Sequence, residues 1–226
     1  MPARPVAFRT PAVPTLSPEL AETDLNTLEL TDEARLEALD LSGLLPPGTV
    51  ARSATVEDCR VRGSLAGARL HDVHLHDCEL EGADLANLDV RGGALSRLTL
   101  RNCRLTGAQL VETSIRDVTF VDCRLDFAVL ALARLDRVTL RGCELREASL
   151  EQAQLRDVRL ERCDLSRAML GQAQLQRVEL DGCRLEGLRS IADLRGAAMP
   201  WPDVVAGAGA FAAALGITVL EDDEPA

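Results

Sequence analysis

From Leu65 to Leu185 every position divisible by five is aliphatic or Phe; only Val90, Ile115 and Phe120 depart from Leu. A helix repeats at 3.6 residues and a strand at two, so neither holds one residue type on a period of five. A chain that turns a corner every five residues does. Four such sides close a square coil of 20 residues, and successive coils stack at the strand spacing of about 4.8 Å.

A second period supports four sides. The residue two before each centre is small or compact, and its type repeats every 20. Cysteines stand at 103, 123, 143, 163 and 183. Five residues earlier come Leu98, Val118, Val138, Val158 and Val178, and five later Ala108, Ala128, Ala148 and Ala168. The fourth column reads Thr113, Ala133, Ala153 and Ala173. Four distinguishable faces stacked in register produce such columns. RDVRLERCDLSRAMLGQAQL (156–175) is then one turn, with Val158, Cys163, Ala168 and Ala173 inward around four Leu. Aromatic content of only 2% suits an aliphatic core of repeated thin layers.

The pentads AGARL, EGADL, RNCRL and REASL carry small-x-Leu/Phe-x-x, a pattern that resembles the pentapeptide-repeat family over residues 51–190. The resemblance implies an all-β solenoid, a right-handed quadrilateral parallel β-helix. In it the Leu and the small residue point inward and the other three positions outward.

The register slips twice. Val61 to Leu65 is four steps, one residue short. Cys78 to Cys103 is 25 residues, which implies an extra pentad near Gly92-Gly93 in the stretch 89–95. Either a bulged corner absorbs it, the reading favoured here, or all faces shift by one side.

The ends read differently. Residues 1–17, with Pro at 2, 5, 11 and 14, read as a disordered tail; 18–50 read as an N-terminal cap with a degenerate first coil. Residues 191–226 read as a C-terminal cap. There Pro202 opens a short capping helix over about 202–215, with Val204, Val205, Ala208, Phe211, Ala212 and Leu215 on one face. Gly216 stops it, ITVL (217–220) follows as a short strand, and an acidic tail ends the chain. Open solenoid ends need such caps. In relatives that act on topoisomerases the C-terminal end pairs two subunits, so a homodimer through this cap is one expectation.

Charge narrows the partners. Residues 51–190 carry 21 Arg and 22 acids, whereas 1–50 carry 3 Arg and 8 acids and 191–226 carry 1 Arg and 6 acids. A balanced rod speaks against direct nucleic-acid binding. Opposite charges fall on adjacent rungs: Arg97, Asp117, Arg137, Asp157 and Arg177 form one column, Arg116, Asp136 and Arg156 another. No apolar run is long enough for a membrane span and no signal core opens the chain, so the expected location is cytoplasmic.

The cysteine column reads as packing. A straight row about 4.8 Å apart neither converges on a tetrahedral metal nor meets disulfide geometry. HDVHLH holds all three histidines, His71, His74 and His76, on what reads as a solvated face; a weak metal site is the less favoured alternative. No cofactor, no metal and no nucleophile–base pair is expected, hence no enzyme. Outward apolar residues are rarer. Phe127, Val129, Ala131 and Leu132 in LDFAVLALARL are either a protein contact or the seat of the N-terminal segment.

The expected function is a rigid module that binds a protein partner. Resemblance to quinolone-resistance pentapeptide proteins points to DNA gyrase or another topoisomerase, although an acidic rod resembling DNA is not what this near-neutral coil offers. The alternative is a scaffold presenting its termini and the 127–132 patch.

Overall fold

A computed structural model describes residues 8–219. They form a parallel β-solenoid of about nine turns. The strands His74–Glu81, Ala94–Arg101, Ser114–Val121, Arg134–Arg141, Gln154–Glu161 and Gln174–Asp181 start 20 residues apart and pair in register. Val118 lies between Leu98 and Val138, and Phe120 between Leu100 and Leu140. The other two sides are joined by single bridges, such as Arg104 with Arg124 and Gln109 with Val129.

Each corner is one left-handed residue two places after a centre, with φ near +50 to +60° where it carries a Cβ: Asp117, Asp122, Phe127 and Leu132 in one turn. That conformation is uncommon for a residue with a Cβ. Here the corner N–H is paired with the turn above, as Phe127 N with Arg146 O at 2.9 Å. The centres and small residues fill the interior; Ile115, Leu125, Leu145 and the Val118, Val138 and Val158 column are fully buried.

Cys78 pairs with Leu98 and Leu80 with Leu100, an interval of 20. The expected extra pentad near 89–95 is therefore absent, and neither a bulge nor a shifted face occurs. Cys78 belongs to the Leu98 column, one side before the cysteines that follow. Gly93 occupies the small position below Thr113, where a Cβ would stand 2.6 Å from Val73 O. The short side from Val61 to Leu65 is real: Leu41 pairs with Val61 at 20 residues, but Val61 with Leu80 at 19.

Coiling starts well before residue 51. Ala21–Asp24 pairs with Leu39–Ser42, and Leu25 plugs the first turn from a 3-10 turn capped by Asp24. At the other end Ala197–Ala198 pairs with Gln174–Asp181. Two short helices follow, Trp201–Ala206 and Ala208–Ala214, in place of one helix over 202–215. The break falls at Gly207, where a Cβ would meet the Phe211 ring at 2.7 Å. The expected single apolar face is split with it, since Val205 and Leu215 are exposed. Residues 217–219 form no strand, and Leu220 lies outside the described residues.

Candidate protein-contact surface

Phe127 and Leu132 sit on consecutive corners, 55% and 44% exposed, with Val129 and Ala131 half-buried on the side between them. The neighbouring turns carry Gly107 and Glu147 beside Phe127, and Glu112 and Gln152 beside Leu132. The apolar patch is thus confined to one turn. Both residues keep a left-handed corner, with φ of 59° and 60°. For an L side chain that conformation costs roughly 1–2 kcal/mol.

The described part of the N-terminal segment, residues 8–17, does not cover this patch. Residues 8–17, expected to be disordered, run along a different edge; residues 1–7 lie outside the described residues. Ser17 N donates to Asp58 Oδ1 at 2.6 Å, Thr15 N to Asp77 Oδ1 at 3.4 Å and Ala12 N to Asp117 Oδ1 at 3.2 Å. The Arg9 backbone lies beside Asp157 and helps hold its carboxyl low, and Arg159 stacks on the Phe8 ring, 5.0 Å from its centroid. This edge lies two corners from Phe127, the diagonally opposite edge of a four-sided coil. The reason for order is chemical. Asp77, Asp117 and Asp157 each have acceptor capacity left after binding an arginine, and the segment's amides supply donors.

The arginines come from the turn above. Arg137 donates through Nε and Nη2 to Asp117, both at 2.6 Å, and Arg177 to Asp157 at 2.5 and 2.6 Å. Arg97 holds Asp77 in the same way. The column therefore resolves into Asp–Arg dyads rather than an unbroken ladder. Hydrogen bonding to Arg137 holds the Asp117 carboxyl below the ordinary range, and Arg97 and Arg177 do the same for Asp77 and Asp157. On another side of the coil Arg91 brings Asp89 down to about 2.

The cysteine column lies inside. Cys103, Cys123, Cys143 and Cys163 are buried, Cys183 at the last turn is half-buried, and all seven cysteines are free thiols. Each Sγ reaches backbone carbonyls, as Cys163 to Leu140 O at 3.4 Å. Hydrogen bonding with Cys123 and Cys163, and then burial, push the Cys143 thiol far up. The histidines diverge. His71 meets Asp89 at 3.3 Å, His76 bonds Ser96 at 2.6 Å and Arg97, and His74 is exposed. Among the described residues no three His, Cys, Asp or Glu side chains gather around one point.

The C-terminal cap leaves a second apolar surface. Trp201 is 75% and Leu215 74% exposed, with Val205, Ile217 and Val219 also open. No helix among the described residues is long and apolar enough to cross a membrane.

The docking of residues 8–17 departs from the disordered tail that prolines at 2, 5, 11 and 14 suggest. The usable signal was the spacing of Phe8, Pro11 and Pro14 in threes.

Two family models match this chain. One, for the pentapeptide repeat region, covers residues 93–170, and one for pentapeptide repeats in eight copies covers 64–97. No curated protein matches the sequence. Among solved structures, similarity is found to HetL, a pentapeptide repeat protein involved in heterocyst differentiation regulation from the cyanobacterium Nostoc sp. strain PCC 7120. Identity is 24% over 75% of this chain and 91% of that one, with a TM-score of 0.33. QnrB1, a plasmid-mediated fluoroquinolone resistance protein, is 20% identical over 85% of this chain and all of the other, also at TM-score 0.33.

Proposed function

Because this chain belongs to the pentapeptide-repeat family, we propose that it is a non-catalytic, cytoplasmic protein-binding module whose contact residues are Phe127, Val129 and Leu132. The observation that carries this reading is the patch itself. Two large apolar side chains are held in solvent on left-handed corners, although the neighbouring turns build the same corners with Gly, Glu and Gln. Neither folding nor solubility calls for them. The finer reading, drawn from resemblance to quinolone-resistance relatives, is that the partner is a gyrase-type topoisomerase.

Purified gyrase tests it. Added wild-type protein should change supercoiling or the cleavage that quinolones trap, and Phe127→Asp should weaken that effect at least about tenfold, as loss of an aromatic anchor does. No effect of wild type removes the topoisomerase; equal effects remove the patch.

The exposed Trp201 and Leu215 favour a second reading, a scaffold whose C-terminal cap pairs two copies. Sedimentation decides that reading: a dimer that Trp201→Asp converts to monomer supports it, and a wild-type monomer at high concentration ends it.

A further inference from the structure

The edge that carries residues 8–17 has a spacing of its own. Its aspartates at 77, 117 and 157 lie two turns apart, with Arg97, Arg137 and Arg177 between and beyond them. Two turns rise about 9.6 Å. The amides of Thr15 and Ala12, three residues apart, donate to Asp77 and Asp117, and the Arg9 backbone, three residues further toward the N-terminus, lies beside Asp157. Three residues of polyproline II rise about 9.3 Å and complete one turn of that helix, so every third amide points the same way. From residue 8 to 15 the side chains follow the same count, which ends at half-buried Leu16. Phe8, Pro11 and Pro14 are half-buried, while Arg9, Thr10, Ala12, Val13 and Thr15 are exposed. Two periods from unrelated parts of the chain coincide, three residues in one and forty in the other.

From this match we propose that the Asp77–Asp117–Asp157 edge is a docking track for extended Pro-x-x-Pro peptides, and that residues 8–17 of the chain are its resident occupant. The carboxylates take one backbone amide per peptide turn, and the surface between them takes one proline or aromatic side chain per turn. Proline suits the non-donating positions because it fixes φ and brings no N–H to bury. Specificity lies in the spacing, because a β-strand rises about 10 Å in three residues and does not repeat its orientation at the third. The occupant also joins turns that a solenoid leaves out of contact with one another, reaching from Asp58 to Asp157. This inference is independent of the Phe127 patch and of any partner assigned to it.

Amide hydrogen exchange on the full chain tests the track. In wild type the amides of Ala12 and Thr15 should exchange at least about tenfold more slowly than in a free synthetic peptide of residues 8–18. Pro11→Gly/Pro14→Gly alters only the occupant and leaves the coil intact. It should bring both amides to within about twofold of the free peptide while amides in 114–121 stay protected. The triple variant Asp77→Ala/Asp117→Ala/Asp157→Ala should do the same from the other side. The synthetic 8–18 peptide should then bind the vacated edge of the proline double variant saturably, and at least about tenfold more tightly than its Pro→Gly analogue. Wild-type amides that exchange as fast as the free peptide would overturn the proposal, as would protection that survives either variant. Equal binding of the two peptides, or no binding, would equally overturn it.

Discussion

At the scale of single residues, Phe120 and Phe127 show how position decides what one side chain does. Phe120 occupies a centre between Leu100 and Leu140 and is 2% exposed. Its removal leaves a hole between rigid turns that cannot close sideways. Phe120→Ala should therefore cost about 3–5 kcal/mol in urea unfolding; a loss under about 1 kcal/mol would mean that the interior relaxes like a loose globule. Phe127 is the opposite case. It pairs only its backbone with the turn above, and its φ of 59° favours glycine. Phe127→Gly should leave stability unchanged or raise it by up to about 1 kcal/mol, measured in the same experiment. A marked loss would make Phe127 part of the packing and leave the contact reading without its basis. The sequence distinguishes these two because one falls on the five-residue count and the other two places past it. The left-handed corner at Phe127 is invisible in residue type, since Asp, Arg, Glu, Phe and Leu all occupy such corners here.

At the scale of elements, the ends follow from unpaired amides. Inside the coil the corner N–H of Arg162 donates to Asp181 O, one turn up. On the last turn the equivalent amides have no strand above them. Asp203 Oδ2 takes Gly182 N at 2.6 Å, and Asp193 Oδ2 takes Gln172 N at 2.9 Å. Two carboxylates thus stand where backbone carbonyls would. Asp203→Ala should fray the final turn, raising exchange at Gly182 and lowering stability by about 1–2 kcal/mol, the worth of a charge-assisted bond. Unaltered exchange at Gly182 would show that water serves that amide equally well. The coil was legible from its 20-residue columns, because every turn repeats one packing problem. The caps were not, because each solves its end once. Gly207 splits the helix for the sake of one ring, Phe211. The docked segment depends on spacing between residues up to 148 apart, Arg9 and Asp157. The absent pentad has a related cause: residue type alone puts Cys78 in the cysteine column, whereas the ladder places it one side earlier, under Leu98.

At the scale of the whole molecule, the rod is held in register by pairs of opposite charge as well as by its core. Asp77, Asp117 and Asp157 are each held below the ordinary carboxylate range by hydrogen bonds from Arg97, Arg137 and Arg177, and Asp89 is brought to about 2 by Arg91. A group whose pKa is lower folded than unfolded adds stability above its unfolded value. That contribution disappears as pH falls through the folded value. The unfolded value for Asp is about 3.9. Stability from these pairs should therefore be complete above about pH 5 and decline from about pH 4 toward 2. Over the same interval the 36 acids lose charge while all 25 basic residues, every one Arg, keep theirs. Net charge then swings from negative to strongly positive, and self-repulsion adds to the lost pairs. Denaturant midpoints recorded from pH 7 to 2 should be flat at first and then fall. Arg137→Met takes the guanidinium that holds Asp117 low, so the variant should be less stable at neutral pH and lose less on acidification, a shallower acid limb than in wild type. Superimposable acid limbs for the two proteins would mean that the dyads stack beside the coil without contributing to its stability.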